Sequence, residues 1–255
     1  MSIPADSSLT SHHSAHDPNE LDQTRTALIT GCSRGLGLAM TEHLLAQGYR
    51  VFGCARGESP TEHERYTHFR VDVTDEHAVT QLFRQLRTET KTLTALINNA
   101  GIASMNAFAL TPSETARRIL NVNVEGTMLF CQKALGLLKR AKHPRIVNFT
   151  TVAVPLNLAG EAVYAASKSA VETLTRILAK EYGSFSITCN AIGPSPIDTA
   201  LIRNVPSAKI EALLQQQAVQ QKATSADVIN LLDFYLRPES DMISGQIVYL
   251  GGIFS

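Results

Sequence analysis

Short apolar runs alternate with stretches of helical spacing from residue 26 to the end of the chain. Thr26-Ala-Leu-Ile-Thr30 is brief and β-prone, as a buried strand requires. Leu38, Met40, Leu44 and Leu45 then recur at helical spacing, and Gly48 supplies a C-terminal stop. The same alternation predicts strands at 50–54, 67–71, 93–97, 145–150, 186–192 and 246–250. It predicts helices over 76–88, where Val79, Leu82, Phe83 and Leu86 share a side, over 112–139 and over 161–182. Strand–helix alternation of this kind predicts an α/β fold: a Rossmann-like, doubly wound parallel sheet of about seven strands with helices on both faces. No repeat or linker interrupts it, so residues 25–255 are expected to form a single domain. Residues 1–24 are polar and read as a mobile extension.

Composition narrows the function. The 255 residues are 44% hydrophobic, which suits one sizeable core. Lys+Arg and Asp+Glu are both 23, so no strongly basic surface offers itself to nucleic acid. Cys32, Cys54, Cys131 and Cys189 are scattered without CxxC spacing, which points to neither a disulfide framework nor a zinc site and fits a reducing cytoplasm. No apolar stretch is long enough to cross a bilayer, and the first 24 residues lack a signal peptide's apolar core. His12, His13 and His16 have no framing carboxylate or cysteine at structural-site spacing, so no metal is expected there.

Two local patterns carry chemistry. Thr30-Gly-Cys-Ser-Arg-Gly-Leu-Gly37 sits between the first strand and first helix. A glycine turn in that position lets the backbone approach a pyrophosphate and aims helix-start N–H groups at it. In Val163-Tyr-Ala-Ala-Ser-Lys-Ser-Ala170, Tyr164 and Lys168 are four residues apart and share a helix face. A free phenol has a pKa of about 10. A neighbouring ammonium favours the phenolate and is expected to lower that value, making Tyr164 a usable general acid/base.

These motifs, with Asp72-Val73, Asn98-Asn-Ala-Gly101, Asn123 in Asn-Val-Glu-Gly126 and Asn190-Ala-Ile-Gly-Pro194, resemble the short-chain dehydrogenase/reductase family in order and spacing over about residues 26–252. The resemblance implies a set of roles. Gly31, Gly35 and Gly37, with Ser33, Arg34 and Leu36 of the same turn, would cradle the cofactor pyrophosphate. Asp72 and Val73 would meet the adenine, and Asn99, Ala100 and Gly101 would cap the central strand and touch the ribose. Tyr164 would be the catalytic acid/base, and Lys168 would lower its pKa and bind nicotinamide-ribose hydroxyls. Asn123 would hold a water linking Lys168 to solvent, and Pro194, Ile197 and Thr199 would bracket the nicotinamide carboxamide. Thr151 stands thirteen residues before Tyr164, where the family usually has serine. Its hydroxyl retains the donor and acceptor needed to polarise a carbonyl, while its methyl takes space beside the substrate. Ser195 replaces a glycine common after the proline, which leaves the nicotinamide-side loop open to adjustment.

The second strand ends Val51-Phe-Gly-Cys-Ala-Arg-Gly57, with Ala55 where NAD enzymes place a carboxylate and Arg56 next to it. With Arg34 in the glycine turn, this suits a 2′-phosphate and predicts NADP(H). The expected activity is NADPH-dependent reduction of a ketone or aldehyde on a small, mostly neutral or carrier-tethered substrate, without a metal. The same fold also serves alcohol oxidation, isomerisation or dehydration, and a non-catalytic dinucleotide-binding regulator is the other class, one with no need of Tyr164, Lys168 and Asn123 together. Substrate choice is assigned to a loop over about 195–224, with a helical lid carrying Ile202, Val205, Ile210, Leu213 and Leu214. Met105, Phe108, Leu156 and Leu158 are candidate walls, and the segments bearing them hold no evident basic clamp. Small residues Ala165, Ala166, Ser169 and Ala170 suit close helix packing, and the resemblance implies a homodimer or homotetramer.

Overall fold

The computed structural model describes residues 25–197 and 205–253. Seven parallel strands form one sheet in the order β3-β2-β1-β4-β5-β6-β7. They are β1 (Thr26–Thr30), β2 (Arg50–Ala55), β3 (Tyr66–Arg70), β4 (Ala95–Asn98), β5 (Arg145–Phe149), β6 (Thr188–Gly193) and β7 (Ile247–Tyr249). The helices are α1 (Gly35–Ala46), α2 (Glu76–Glu89), α3 (Ser113–Leu120), α4 (Gly126–Leu138), α5 (Ala162–Glu181), α6 (Ser207–Leu214) and α7 (Ser225–Leu236).

Strands covered on both faces read as continuous apolar runs, and side-chain alternation divides each between two cores. Leu28, Phe52, Leu96 and Ile146 point into a cluster with Phe83 of α2 and Phe130 of α4. Ala27, Ile29, Val51 and Val147 point into a second cluster with Leu44 of α1 and Leu232 of α7. The chain runs outward from β1 through β3, then returns to place β4 on the other side of β1. That reversal opens a crevice beyond the carboxyl ends of β1 and β4, where such sheets bind ligands.

Expected and observed elements differ in three places. The helix expected over 112–139 is α3 and α4 joined by a wider π turn, Asn121–Glu125, and such turns often mark functional positions. α7 carries no prediction from periodicity, yet Thr224 and Asp227 cap it reciprocally, a pairing legible as Thr-x-x-Asp ahead of an apolar run. The expected helical lid is the short α6, whose Ile210, Leu213 and Leu214 are half-buried. Thr199, Ile202 and the extension over 1–24 lie outside the described residues. Among the described residues no helix is long and apolar enough to cross a membrane.

Candidate active site

The glycine turn leaves β1 with Gly31 and Gly35 at positive φ, 72° and 55°. Gly37 is required for a different reason: a Cβ there would stand 2.1 Å from the Gly31 carbonyl oxygen. The turn is fastened from both sides. Gly31 N donates to the Cys54 carbonyl at 2.7 Å, and Asn99 Nδ2 donates to the carbonyls of Thr30 (2.9 Å) and Gly31 (3.2 Å). Thr30 Oγ1 accepts from the N–H groups of Asn99 and Ala100 at 3.1 and 3.0 Å, capping β4. Asn99 therefore acts as a brace between the two strand ends that flank the crevice. Ser33 and Leu36 are half-buried in the turn, and Ala100 packs on the first core.

On the adenosine side, Asp72 Oδ1 accepts from Thr74 N (3.0 Å) and Thr74 Oγ1 (2.8 Å) and so holds its own turn. Val73 is buried against Gly126, where a Cβ would meet Val73 Cγ2 at 3.0 Å. Arg34 and Arg56 are both exposed and have no side-chain hydrogen bond or ion pair among the described residues. On the other side, Val152 N donates to the Pro194 carbonyl at 3.4 Å, and Ile197 pairs with Ala223 in an isolated bridge.

β5 ends beside the buried face of α5. Tyr164 and Lys168 are both buried on that face, at 8% and 5% exposure. The Tyr164 hydroxyl faces the Thr151 side chain, whose Oγ1 accepts from Ala153 N at 3.2 Å. Lys168 Nζ donates to the Phe149 carbonyl at 2.8 Å. A Cβ on Gly101 would lie 3.4 Å from both Lys168 Nζ and Asn123 Oδ1, which brings the β4 end, the π turn and α5 to one point. Thr150 also faces α5, where it donates to Glu172, one helical turn beyond Lys168, at 2.6 Å.

One expectation is corrected here. Burial, with the Glu161 carboxylate adding to it, pushes the Tyr164 phenol well above its ordinary value, and only the Thr151 hydrogen bond acts downward. The expected lowering by Lys168 is not found, because Nζ is directed at Phe149 and is itself stripped of water. The Asn123 amide is also fully engaged: Oδ1 accepts from Ile102 N (2.9 Å), and Nδ2 donates to the Ile102 carbonyl (2.9 Å) and Ser167 Oγ (3.0 Å). Its side chain braces the Ile102 segment against α5.

Burial pushes the Lys168 ammonium down to about 8 from 10.5. Below about pH 8 folded and unfolded chains both carry this proton and the native state bears the whole cost of the buried charge. Between about 8 and 10.5 the unfolded chain still holds the proton and the folded chain has shed it, so stability from this group rises with pH. A Lys168→Met variant is expected to lose that rise, about 3 kcal/mol across the window, when denaturant unfolding is followed at successive pH values. An identical pH dependence in the variant would contradict the assignment.

Of the candidate wall residues, Met105, Leu156 and Leu158 are half-buried, whereas Phe108 is 72% exposed. From outside the segments that bear them, Lys209 of α6 comes within 3.6 Å of Met105 Sδ; burial raises the pKa of half-buried Glu161, and Lys209 draws it back down. Ser195 is anchored by Gln217, whose Nε2 donates to Ser195 Oγ at 2.8 Å. Gln217 was hidden in sequence by the glutamine-rich run around it. Glu172 was legible in principle, being one helical turn beyond Lys168 on the same face.

An open parallel sheet with a glycine turn at its switch point, and a buried Tyr–Thr–Lys group at the adjoining strand end, defines a dinucleotide-dependent oxidoreductase. The chain belongs to the short-chain dehydrogenase family, which it matches over residues 25–210. It acts on CH–OH and C=O groups. The chain is 29% identical to the 3-oxoacyl-[acyl-carrier-protein] reductase MabA of Mycobacterium tuberculosis, over 90% of this chain and 92% of that one. It is 32% identical to a tropinone reductase homolog of Datura stramonium, over 89% and 90%. The ligand-free aldohexose dehydrogenase of Thermoplasma acidophilum superposes with a TM-score of 0.81 at 28% identity, covering 90% of this chain and 94% of that one.

Proposed function

We propose that the protein is an NADPH-dependent carbonyl reductase that converts a ketone or aldehyde on a small, mostly neutral or carrier-tethered substrate into an alcohol. The observation that carries this reading is the Tyr164 phenol: buried next to Thr151, and one helical turn from the buried Lys168, at the end of β5. Reduction requires an acid at that place, and a phenol with a raised pKa keeps its proton until an alkoxide develops beside it.

The chain's residues fit a nicotinamide dinucleotide. The backbone around Gly31, Gly35 and Gly37 leaves no room for a Cβ at Gly37 and so presents bare main chain to a pyrophosphate. Arg34 and Arg56 are two exposed guanidiniums without partners among the described residues, and the strand end between them offers Ala55 in place of a carboxylate. Bound there, the dinucleotide would supply the hydride. Asp72 and Val73 would lie toward the adenine, Asn99 to Gly101 toward the ribose, and Pro194 and Ile197 toward the carboxamide. Thr151 would donate to the substrate carbonyl and Tyr164 would deliver its proton to the same oxygen. Lys168 would hold ribose hydroxyls and place a positive charge behind the phenolate left by that transfer. Asn123 would keep the Ile102 segment in place around Nζ.

A 3-oxoacyl reductase and a tropinone reductase homolog among the relatives support carbonyl reduction. The likeness to an aldohexose dehydrogenase favours alcohol oxidation as the second reading. Four unpaired, buried thiols support a cytoplasmic location, and exposed Met128 on α4 and Ile177 on α5 support self-association as a dimer or tetramer. The test is consumption of NADPH and of NADH against a panel of neutral ketones, aldehydes and 3-oxoacyl thioesters, with NADP-linked oxidation of alcohols and sugars in parallel. Turnover with NADPH on neutral carbonyls is expected; turnover confined to sugar oxidation would establish the second reading instead.

A further inference from the structure

Behind the glycine turn, four polar side chains from three separate segments meet. Cys32 comes from the turn, Ser59 from the loop after β2, and Tyr66 and His68 from β3. The Tyr66 hydroxyl lies 3.3 Å from Cys32 Sγ, 3.1 Å from Ser59 Oγ and 3.2 Å from His68 Nδ1. Cys32 Sγ lies 3.6 Å from the same nitrogen. The group exists because residue 53 is glycine: a Cβ there would fall 2.2 Å from the Tyr66 hydroxyl oxygen and 2.6 Å from Cys32 Sγ.

The hydrogen-bond directions follow from chemistry. His68 Nε2 is 2.8 Å from the Gly57 carbonyl oxygen, which can only accept, so Nε2 carries the proton. In the neutral ring Nδ1 is then the acceptor for Tyr66 or Cys32. Burial raises the Tyr66 phenol and the Cys32 thiol, so both remain protonated donors, and Cys32 is not a reactive thiolate. The segment after β2 is therefore tied to β3 four times, since Arg70 also donates from Nε to the Arg56 carbonyl at 3.1 Å and from Nη1 to Glu58 at 3.4 Å. The same network holds the glycine turn through Cys32. Arg34 is two residues beyond Cys32, and Arg56 adjoins Gly57.

We propose that Tyr66 and His68, with Cys32 and Ser59, are positioning residues that hold the Arg34 and Arg56 segments in fixed relation and so set the preference for a 2′-phosphorylated dinucleotide. This rests on the reading that Arg34 and Arg56 face that phosphate. Neither arginine has an internal side-chain partner among the described residues, so their spacing is left to the backbone of the two loops, which this network joins beyond the Gly31–Cys54 main-chain bond. A network serving packing alone would have no reason to grip the Gly57 carbonyl beside Arg56.

The test is to measure dissociation constants for NADPH and NADH, with melting temperature, in the full chain and in Tyr66→Phe, His68→Ala and Arg34→Ala/Arg56→Ala variants. Tyr66→Phe removes one oxygen and keeps the ring, so it remains informative if His68→Ala fails to fold. In Tyr66→Phe and His68→Ala, NADPH binding is expected to weaken by about tenfold, the scale of one impaired charge-assisted hydrogen bond, with NADH binding within about twofold of the parent. A parallel loss of both cofactors with a lower melting temperature would show a structural role only and overturn the proposal. An unchanged preference in Tyr66→Phe and His68→Ala, together with a changed one in the double arginine variant, would overturn this inference alone. No change in the double arginine variant would overturn the cofactor reading beneath it.

Discussion

A Tyr164→Phe variant is expected to lose about 10²–10⁴-fold in kcat for carbonyl reduction, the range a positioned general acid supplies. The ring is buried in the helix face and would stay there, so only the hydroxyl and its interaction with Thr151 are removed. Stability is expected to change by only about 1 kcal/mol, the net worth of one hydrogen bond. Cofactor affinity is expected to stay close to the parent's, because the residues proposed to meet the phosphates and adenosine, at the glycine turn and Asp72–Val73, belong to other elements than α5. Steady-state kinetics beside direct NADPH titration separates these quantities. A variant that keeps more than a tenth of the parent's kcat would remove Tyr164 from the chemistry. The upward shift of the phenol also gives reduction and oxidation different pH dependences. A phenol held protonated is a ready donor for reduction and a poor base for alcohol oxidation near neutral pH, so oxidation is expected to gain more from alkaline conditions.

The second large effect concerns the choice of dinucleotide. Changing Arg34 and Arg56 together to alanine is expected to weaken NADPH binding by about 100-fold and leave NADH within about twofold. Hydrogen bonds to charged groups contribute about 1.5–3 kcal/mol each, and solvent exposure of both side chains places the pair toward the low end. Neither side chain has a partner among the described residues, so the fold has nothing to lose and the melting temperature is expected to hold. The parent's NADPH affinity should fall with added salt, and the double variant's should fall less steeply. Equal NADPH affinity in parent and variant would take the 2′-phosphate away from these residues.

The strands show how much local pattern decides. β1, with Thr26–Thr30 wholly buried, was legible because a strand covered on both faces must be apolar throughout. β3 and β4 begin within one or two residues of the expected places, since edges depend on which neighbour supplies the ladder. α7 escaped notice, although its capping pair was present in the sequence. The break between α3 and α4 carried no proline or glycine signal at Asn121–Glu125, and Asn123 is held there by Ile102 and Ser167, two segments distant in the chain.

The site divides in the same way. The amino-acid sequence alone determined the parallel α/β fold, the glycine turn after β1 and the Tyr164/Lys168 face of α5. Each of these follows from spacing along a single element, where the 3.6-residue and two-residue periods act directly. Tertiary structure alone decided which way the Tyr164 phenol titrates, what Lys168 Nζ donates to, how Lys209 comes to lie beside Met105, and the meeting of Cys32, Ser59, Tyr66 and His68 over Gly53. Those outcomes depend on exclusion of water and on distances between residues far apart in the chain, and neither quantity has a local signature.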